Sequence, residues 1–375
     1  ITLNSLNDGT YSDCTIRVTN ASGYVSDSIT ITSFVVDLSA ATLAEVTAVT
    51  TPTNDSTPNY TFSSDKAGTI TYGGSCSSVT TSAISGNTTI TLISLSDDTY
   101  SDCTVTVTDT ASNSVTLNMS SFTIDTTAPS VSSFYFDDTL LKTGEIATVT
   151  LEFSEAVLGF ASDDDITADN GSLPAMASND NTTWFGTFTP RTNTEEDNNT
   201  LSLATSYTDL AGNAGTAETT ANYAIDTLVP TISSVTAGWG AYLNATEDNS
   251  AGTVTVVTSG AENDQTVTVT LNGTDYTDNV SNNSTAVTIA DTSLQALTDG
   301  DNYTLTTNVS DAAGNAATVN TGTSFTYDIT APTISGGVAI TSVTGIQNNL
   351  LNAGDNVSVT ATFSKNVPVT GTPQL

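Results

Sequence analysis

Acidic residues recur in this 375-residue chain in three settings whose spacing would let them share a cation. The first is the end of an apolar run followed by a small-residue linker: Asp37 in VVDLSAAT, Asp125 in TIDTTAP, Asp226 in AIDTLVP and Asp328 in TYDITAP. The second opens a turn: Asp109 in DTASN, Asp209 in DLAGN and Asp311 in DAAGN. The third follows an apolar run: Asp65, Glu155, and Glu262 or Asp264. One acid of each kind gives three sets: Asp37, Asp65 and Asp109; Asp125, Glu155 and Asp209; Asp226, Glu262 or Asp264, and Asp311. Oxygen-only ligands carried on loops suit a hard cation of flexible geometry, so the expected cofactor is Ca²⁺. The competing reading makes these acids solvated turn residues and caps. No stretch matches an EF-hand loop. Lys365 stands where an alignment of residues 140–157 with 350–367 places Glu155, so no such site is expected there.

Other chemistry is poorly supplied. There is no histidine for general base work, and no nucleophile elbow or phosphate-binding glycine loop. Acidic pairs such as Asp137 and Asp138, Asp163 to Asp165, and Glu195 to Asp197 fall in polar stretches without aromatic neighbours to shape a sugar cleft. No catalysis is expected. The net charge of -35, with only Arg17, Lys66, Lys142, Arg191 and Lys365 as basic residues, argues against nucleic acid as a partner. It also argues against an anionic membrane surface, and no apolar run is long enough for membrane insertion.

The elements that would position these acids are strands. Runs such as PNYTFSS, GTITYGG, CTVTVTD, QTVTVTLNG and YTLTTNVS alternate apolar residues with threonine, the pattern of half-buried antiparallel strands. Turn-rich breaks and about seven such runs per hundred residues predict an all-β, two-sheet sandwich. Leu6 to Tyr11 (LNDGTY), Leu95 to Tyr100 (LSDDTY) and Leu297 to Tyr303 (LTDGDNY) each set a tyrosine before a strand. This is the tyrosine corner of immunoglobulin-like sandwiches, in which the hydroxyl bonds back to the main chain of the corner. In such a sandwich the B–C loop and F–G turn lie at the end where the chain enters, beside the closing aspartate of the unit before. That would bring the three kinds of acid together.

Residues 2–37 return as residues 91–125, with Cys14 aligned to Cys103. The closing aspartates lie roughly 90–100 residues apart, far beyond the 20–50-residue period of solenoids, so each period is a whole small domain. The expected organisation is 1–37, the C-terminal part of a module; 38–125, 126–226 and 227–328, three modules; and 329–375, the N-terminal part of another. The sequence is expected to be a piece of a longer polypeptide. Cys76 and Cys103 share the 38–125 module and are expected to form a disulfide, implying an oxidising compartment; two buried thiols are the alternative. Sequons at Asn87, Asn272 and Asn302 are as frequent as this composition yields by chance and carry no assigned role.

The F-x-x-D-x-T-A-P linker, the D-x-A-G-N turn and GEIATVTLEFSEAVLGF…DITADNGSL (144–173) together resemble bacterial immunoglobulin-like (Big-type) repeats. The resemblance implies a rod of tandem modules in a large secreted or surface protein of a Gram-negative bacterium, adhesin-like and extracellular. Such a stalk would meet cell-surface, polysaccharide or self-association partners through regions outside this sequence. The rival readings are a part of an S-layer or extracellular filament, and a non-catalytic spacer in a secreted polysaccharide-degrading enzyme.

Overall fold

The computed structural model describes residues 2–344, 350, 353–368 and 370–371. Among them the structure is all-β, with small, mainly antiparallel sheets, two four-residue helical turns and one short 3-10 turn. No helix among the described residues is long and apolar enough to cross a membrane. The chain divides into two compact units. One holds Ile1–Thr139, Ile146–Arg191 and Asp197–Ala224; the other holds Leu140–Glu145, Thr192–Glu196 and Ile225–Leu375.

In the first unit, the strands between Leu43 and Asn118 form an immunoglobulin-like sandwich. One sheet orders Leu43–Thr47, Asn59–Ser64 and Gly86–Thr91; the other orders Ser114–Asn118, Thr104–Thr108, Gly68–Gly73 and Ser82–Ala83. Alternation decides the faces. Val105 and Val107 are fully buried, whereas Thr104, Thr106 and Thr108 face outward, and Thr106 and Thr108 hydrogen-bond across the strands to Thr116 and Ser114. Tyr60, Phe62, Ile90 and Phe122 fill the core beside a disulfide joining Cys76 to Cys103, whose Cα atoms are 5.2 Å apart. Cys14, its counterpart in residues 2–37, is a half-buried thiol. The following stretch has its own sheets. Val131–Phe136, Ala147–Phe153, Thr183–Pro190 and Gly171–Ser172 form one, and Ile166–Ala168, Leu201–Leu203 and Glu218–Thr219 another. Its core is aromatic: Phe153 meets Phe160 and Tyr207 at centroid distances of 5.5 and 4.8 Å.

In the second unit, Thr231–Ala237, Gly252–Ser259 and Ser284–Ile289 face a five-stranded sheet. That sheet runs Tyr242–Leu243, Asn320–Tyr327, Asn302–Val309, Thr266–Leu271 and Thr274–Asn279. Tyr242–Leu243 pairs in parallel with the closing strand, while the other pairings are antiparallel. Val254, Val267, Val269, Leu305 and Phe325 pack between the sheets. Beyond residue 328, Ile334–Thr344 pairs with Asn356–Phe363.

The three corner tyrosines bond to the main chain. Tyr11 and Tyr100 donate to the carbonyls of Asn7 and Ser96 at 3.1 and 2.9 Å, four residues upstream. Tyr303 instead accepts from the Thr298 amide at 2.8 Å, because the inserted residue in LTDGDNY lengthens the corner. Each ring lies against a phenylalanine of the closing strand: Phe34, Phe122 and Phe325.

Two outcomes are expected. Replacing Cys76 and Cys103 by serine should cost the 38–125 sandwich about 3 kcal/mol, the chain-entropy value for a loop of this length. Urea unfolding of the full chain followed by hydrogen exchange should show the loss there and leave 231–327 unchanged. Tyr100→Phe should cost about 1 kcal/mol in the same measurement, the typical worth of one hydrogen bond.

Candidate functional site at the module junctions

The turn that opens with Asp109, Asp209 or Asp311 is held by its own aspartate. Asp109 Oδ1 accepts the Ala111 and Asn113 amides, each at 2.9 Å. Asp209 Oδ1 accepts those of Gly212 and Asn213 at 2.7 and 2.9 Å, and Asp311 Oδ1 that of Asn315 at 2.7 Å. All three aspartates are buried. The residue before the asparagine has positive φ (Ser112 at 76°, Gly212 at 94°, Gly314 at 90°), which glycine adopts without strain. So folded, the turn aims the asparagine amide at the chain entering the sandwich. Asn113, Asn213 and Asn315 donate Nδ2–H to the main-chain carbonyls of Asp37, Asp125 and Asp226 at 3.1, 2.8 and 3.0 Å. These asparagines clasp each of the three linkers to the following sandwich.

A second clasp reaches the linker from the preceding side. Asp8, Asp97 and Asp299, the acids of the tyrosine-corner motif, accept the amides of Leu38, Thr126 and Ile329, each one residue past a closing aspartate. Asp97 Oδ2 also takes the Thr127 hydroxyl at 2.7 Å, and Asp299 Oδ2 the Thr330 hydroxyl. The linker after Asp226 is held by threonines. There Thr227 bonds to both backbone groups of Thr194, and its carbonyl accepts the Thr143 hydroxyl at 3.1 Å. Thr143 N–H also donates to Asn315 Oδ1 at 2.8 Å. These bonds join segments 140–145 and 192–196 to residues 225 onward within the second unit.

The expected acid triplets assemble unevenly. Asp125, Glu155 and Asp209 each offer a carboxylate oxygen within 4.8 Å of the others, the one such cluster among the described residues. Burial pushes the Glu155 carboxyl above its ordinary value, and the Asp125 and Asp209 charges push it further. Asp65 does not join Asp37 and Asp109: its carboxylate accepts the Thr42 amide at 2.7 Å, which holds its pKa down. Ser154 and Ser364 play the same part for the amides of Ser130 and Thr333. The residue that reaches the junction is therefore the next one along: Lys66, Glu155 and Lys365. In the 227–328 stretch that position is Gly260, with φ at 83° and no side chain. Glu262 and Asp264 are both exposed; Glu262 caps the following turn through the Ala312 amide at 2.8 Å, and Asp264 sits in a tight turn at φ 69°. Asp226 Oδ1 accepts the Leu228 amide at 3.1 Å, and Asp311 is committed to Asn315.

At the first junction an ammonium fills the centre. Lys66 Nζ lies 2.8 and 2.9 Å from the two oxygens of Asp37 and 3.5 Å from Asp109 Oδ2. The Asp37 carboxylate raises the Lys66 pKa, and Lys66 in turn lowers that of Asp37. Bonds from Asn113 are the chief cause of the depressed Asp109 value.

Residues 125–225, which hold the acid triplet, match the family model described as bacterial Ig-like domain. The chain resembles that family over this stretch. It is similar to several solved structures, though none of the curated proteins matches it. A bacterial Ig-like domain of the M. primoryensis ice-binding adhesin is 30% identical, covering 27% of this chain and 95% of that one at a TM-score of 0.20. A 1.5-MDa bacterial ice-binding adhesin is 22% identical over 78% of this chain and 100% of that one, at 0.35. A Ca²⁺-stabilised adhesin with which an Antarctic bacterium binds ice is 21% identical over 84% and 81%, at 0.34.

A pH dependence follows from Glu155. With its folded pKa raised above the ordinary 4.5, the folded state binds the proton more tightly than the unfolded state. Stability therefore falls as pH rises from that value through the folded pKa. Glu155→Gln should raise the melting temperature at pH 7 in chelator, and the gain should vanish below about pH 4.5. Equal melting curves at both pH values would contradict crowding of the three carboxylates.

Proposed function

We propose that this chain is a stalk segment of tandem Ig-like modules in a large extracellular protein of the bacterial cell surface. It would carry a binding region, located elsewhere in the polypeptide, away from the cell, and would have no catalytic activity of its own. The observation that carries this reading is the recurrence of the asparagine–aspartate clasp at three successive linkers. A chain of independent domains needs no such device; a spacer that must keep its length under load does. The disulfide between Cys76 and Cys103 fits an oxidising, extracellular setting. The high negative charge fits a solvated surface that resists association.

Ca²⁺ is the cation proposed for the junction of Asp125, Glu155 and Asp209. Three carboxylates within 4.8 Å repel one another in its absence, and hard oxygen donors on loops are its preferred ligands. Glu262, Asp264, Asp226 and Asp311 are not gathered in this way, so the third junction is proposed to rely on its hydrogen bonds. Calorimetric titration of the full chain should find one weak site, with a dissociation constant of roughly 10⁻⁴–10⁻³ M as for extracellular modules. At ten times that concentration the site should stabilise its sandwich by about 1.4 kcal/mol. Glu155→Gln should abolish the binding heat, whereas Glu262→Gln should leave it intact. Binding unchanged in Glu155→Gln would return these acids to the status of turn residues.

A further inference from the structure

The position that follows Asp65, Ser154, Ser259 and Ser364 sets the charge of each junction. It presents a cation at Lys66 and Lys365, an anion at Glu155, and no side chain at Gly260. We propose that Lys66 and Lys365 act as permanent, covalently tethered cations. On this view the first and fourth junctions close on an ammonium and are indifferent to divalent ions. The proposal deepens the stalk reading and rests on it only for the contrast with the second junction.

The geometry around Lys66 resembles the shell of a bound cation. Its ammonium meets both oxygens of Asp37, the carbonyl and hydroxyl of Ser39, and Asp109 Oδ2, all from loops that belong to two different sandwich stretches. Lys365 repeats the arrangement: its Nζ pairs with Asp328 Oδ1 and donates to the carbonyl of Thr330 at 2.7 Å. Ser39 and Thr330 both stand two residues past a closing aspartate, so the donors come from equivalent places. One ammonium against Asp37 and Asp109 leaves a single excess negative charge, where Asp125, Glu155 and Asp209 leave three. An ammonium also supplies three hydrogens and cannot leave. The closing charge at these two junctions is therefore held at high effective concentration whatever the surrounding medium contains.

Hydrogen exchange on the full chain, in chelator and in millimolar Ca²⁺, tests this. Wild-type amides of Ser39, Ala111 and Asn113 should exchange at the same rate in both media. Lys66→Met should speed their exchange roughly tenfold in both, the factor that one charge-assisted hydrogen bond is worth. The amide of Val107, in the strand Thr104–Thr108, is the fold control and should stay protected. Unchanged exchange in Lys66→Met, or wild-type rates that slow on adding Ca²⁺, would overturn the proposal. Should Lys66→Met unfold its sandwich, Lys365→Met read at Ile329 decides in the same way. The Thr127 amide reports the second junction in the same spectra. A Thr127 rate insensitive to Ca²⁺ would remove the calcium site of the stalk reading and leave the lysine junctions standing.

Discussion

The main-chain carbonyl of the closing aspartate is the point on which the tandem arrangement depends. A linker such as TTAP or TLVP lies between strands and contains a proline with no N–H to offer, so its backbone groups must find partners outside regular structure. The asparagine side chain four residues into the F–G turn supplies that partner at 2.8–3.1 Å in three places. It can do so only because a buried aspartate ties the turn into one shape, and that aspartate is itself buried only because the sandwich closes around it. Core, turn and linker thus form one chain of dependence, in which each step satisfies polar groups that the previous step has taken out of water.

The same clasp is backed in different ways on its other side. Where the tyrosine-corner motif is present, its aspartate receives the linker amides; after Asp226 the Thr194 carbonyl receives the Thr227 amide and the Thr143 hydroxyl donates to the Thr227 carbonyl. The cores vary similarly. The 38–125 stretch has a disulfide in its core between the loop after Gly68–Gly73 and the residue before Thr104–Thr108, the 126–226 stretch relies on clustered aromatic rings, and 227–328 on valine and leucine under long ladders. A β-sandwich asks only that its inward faces be filled, so its filling is free to diverge. The linker has far fewer ways to satisfy its backbone, and its contacts recur. Charge is layered on top of this frame. A single position per junction decides whether carboxylates meet a lysine, another carboxylate or nothing, without altering the hydrogen bonds beneath.

Much was legible in the sequence because it is local or periodic. Threonine alternation set which face of each strand is wet. The corner tyrosines and the paired cysteines follow from repeated spacing, and the end of the sandwich on which their loops fall is what groups Asp125, Glu155 and Asp209. What the sequence could not decide were matters of a single residue. Whether Asp65 or Lys66 faces the linker depends on where the strand Asn59–Ser64 ends against Leu43–Thr47, and in a strand one step reverses the side chain. The extra residue in LTDGDNY likewise turned Tyr303 from donor to acceptor. Only the tertiary structure could show that Asn113, Asn213 and Asn315 reach the linker carbonyls. A turn asparagine has the same local signature whether it caps its own backbone or a chain some eighty residues away, and long-range packing alone chooses between them.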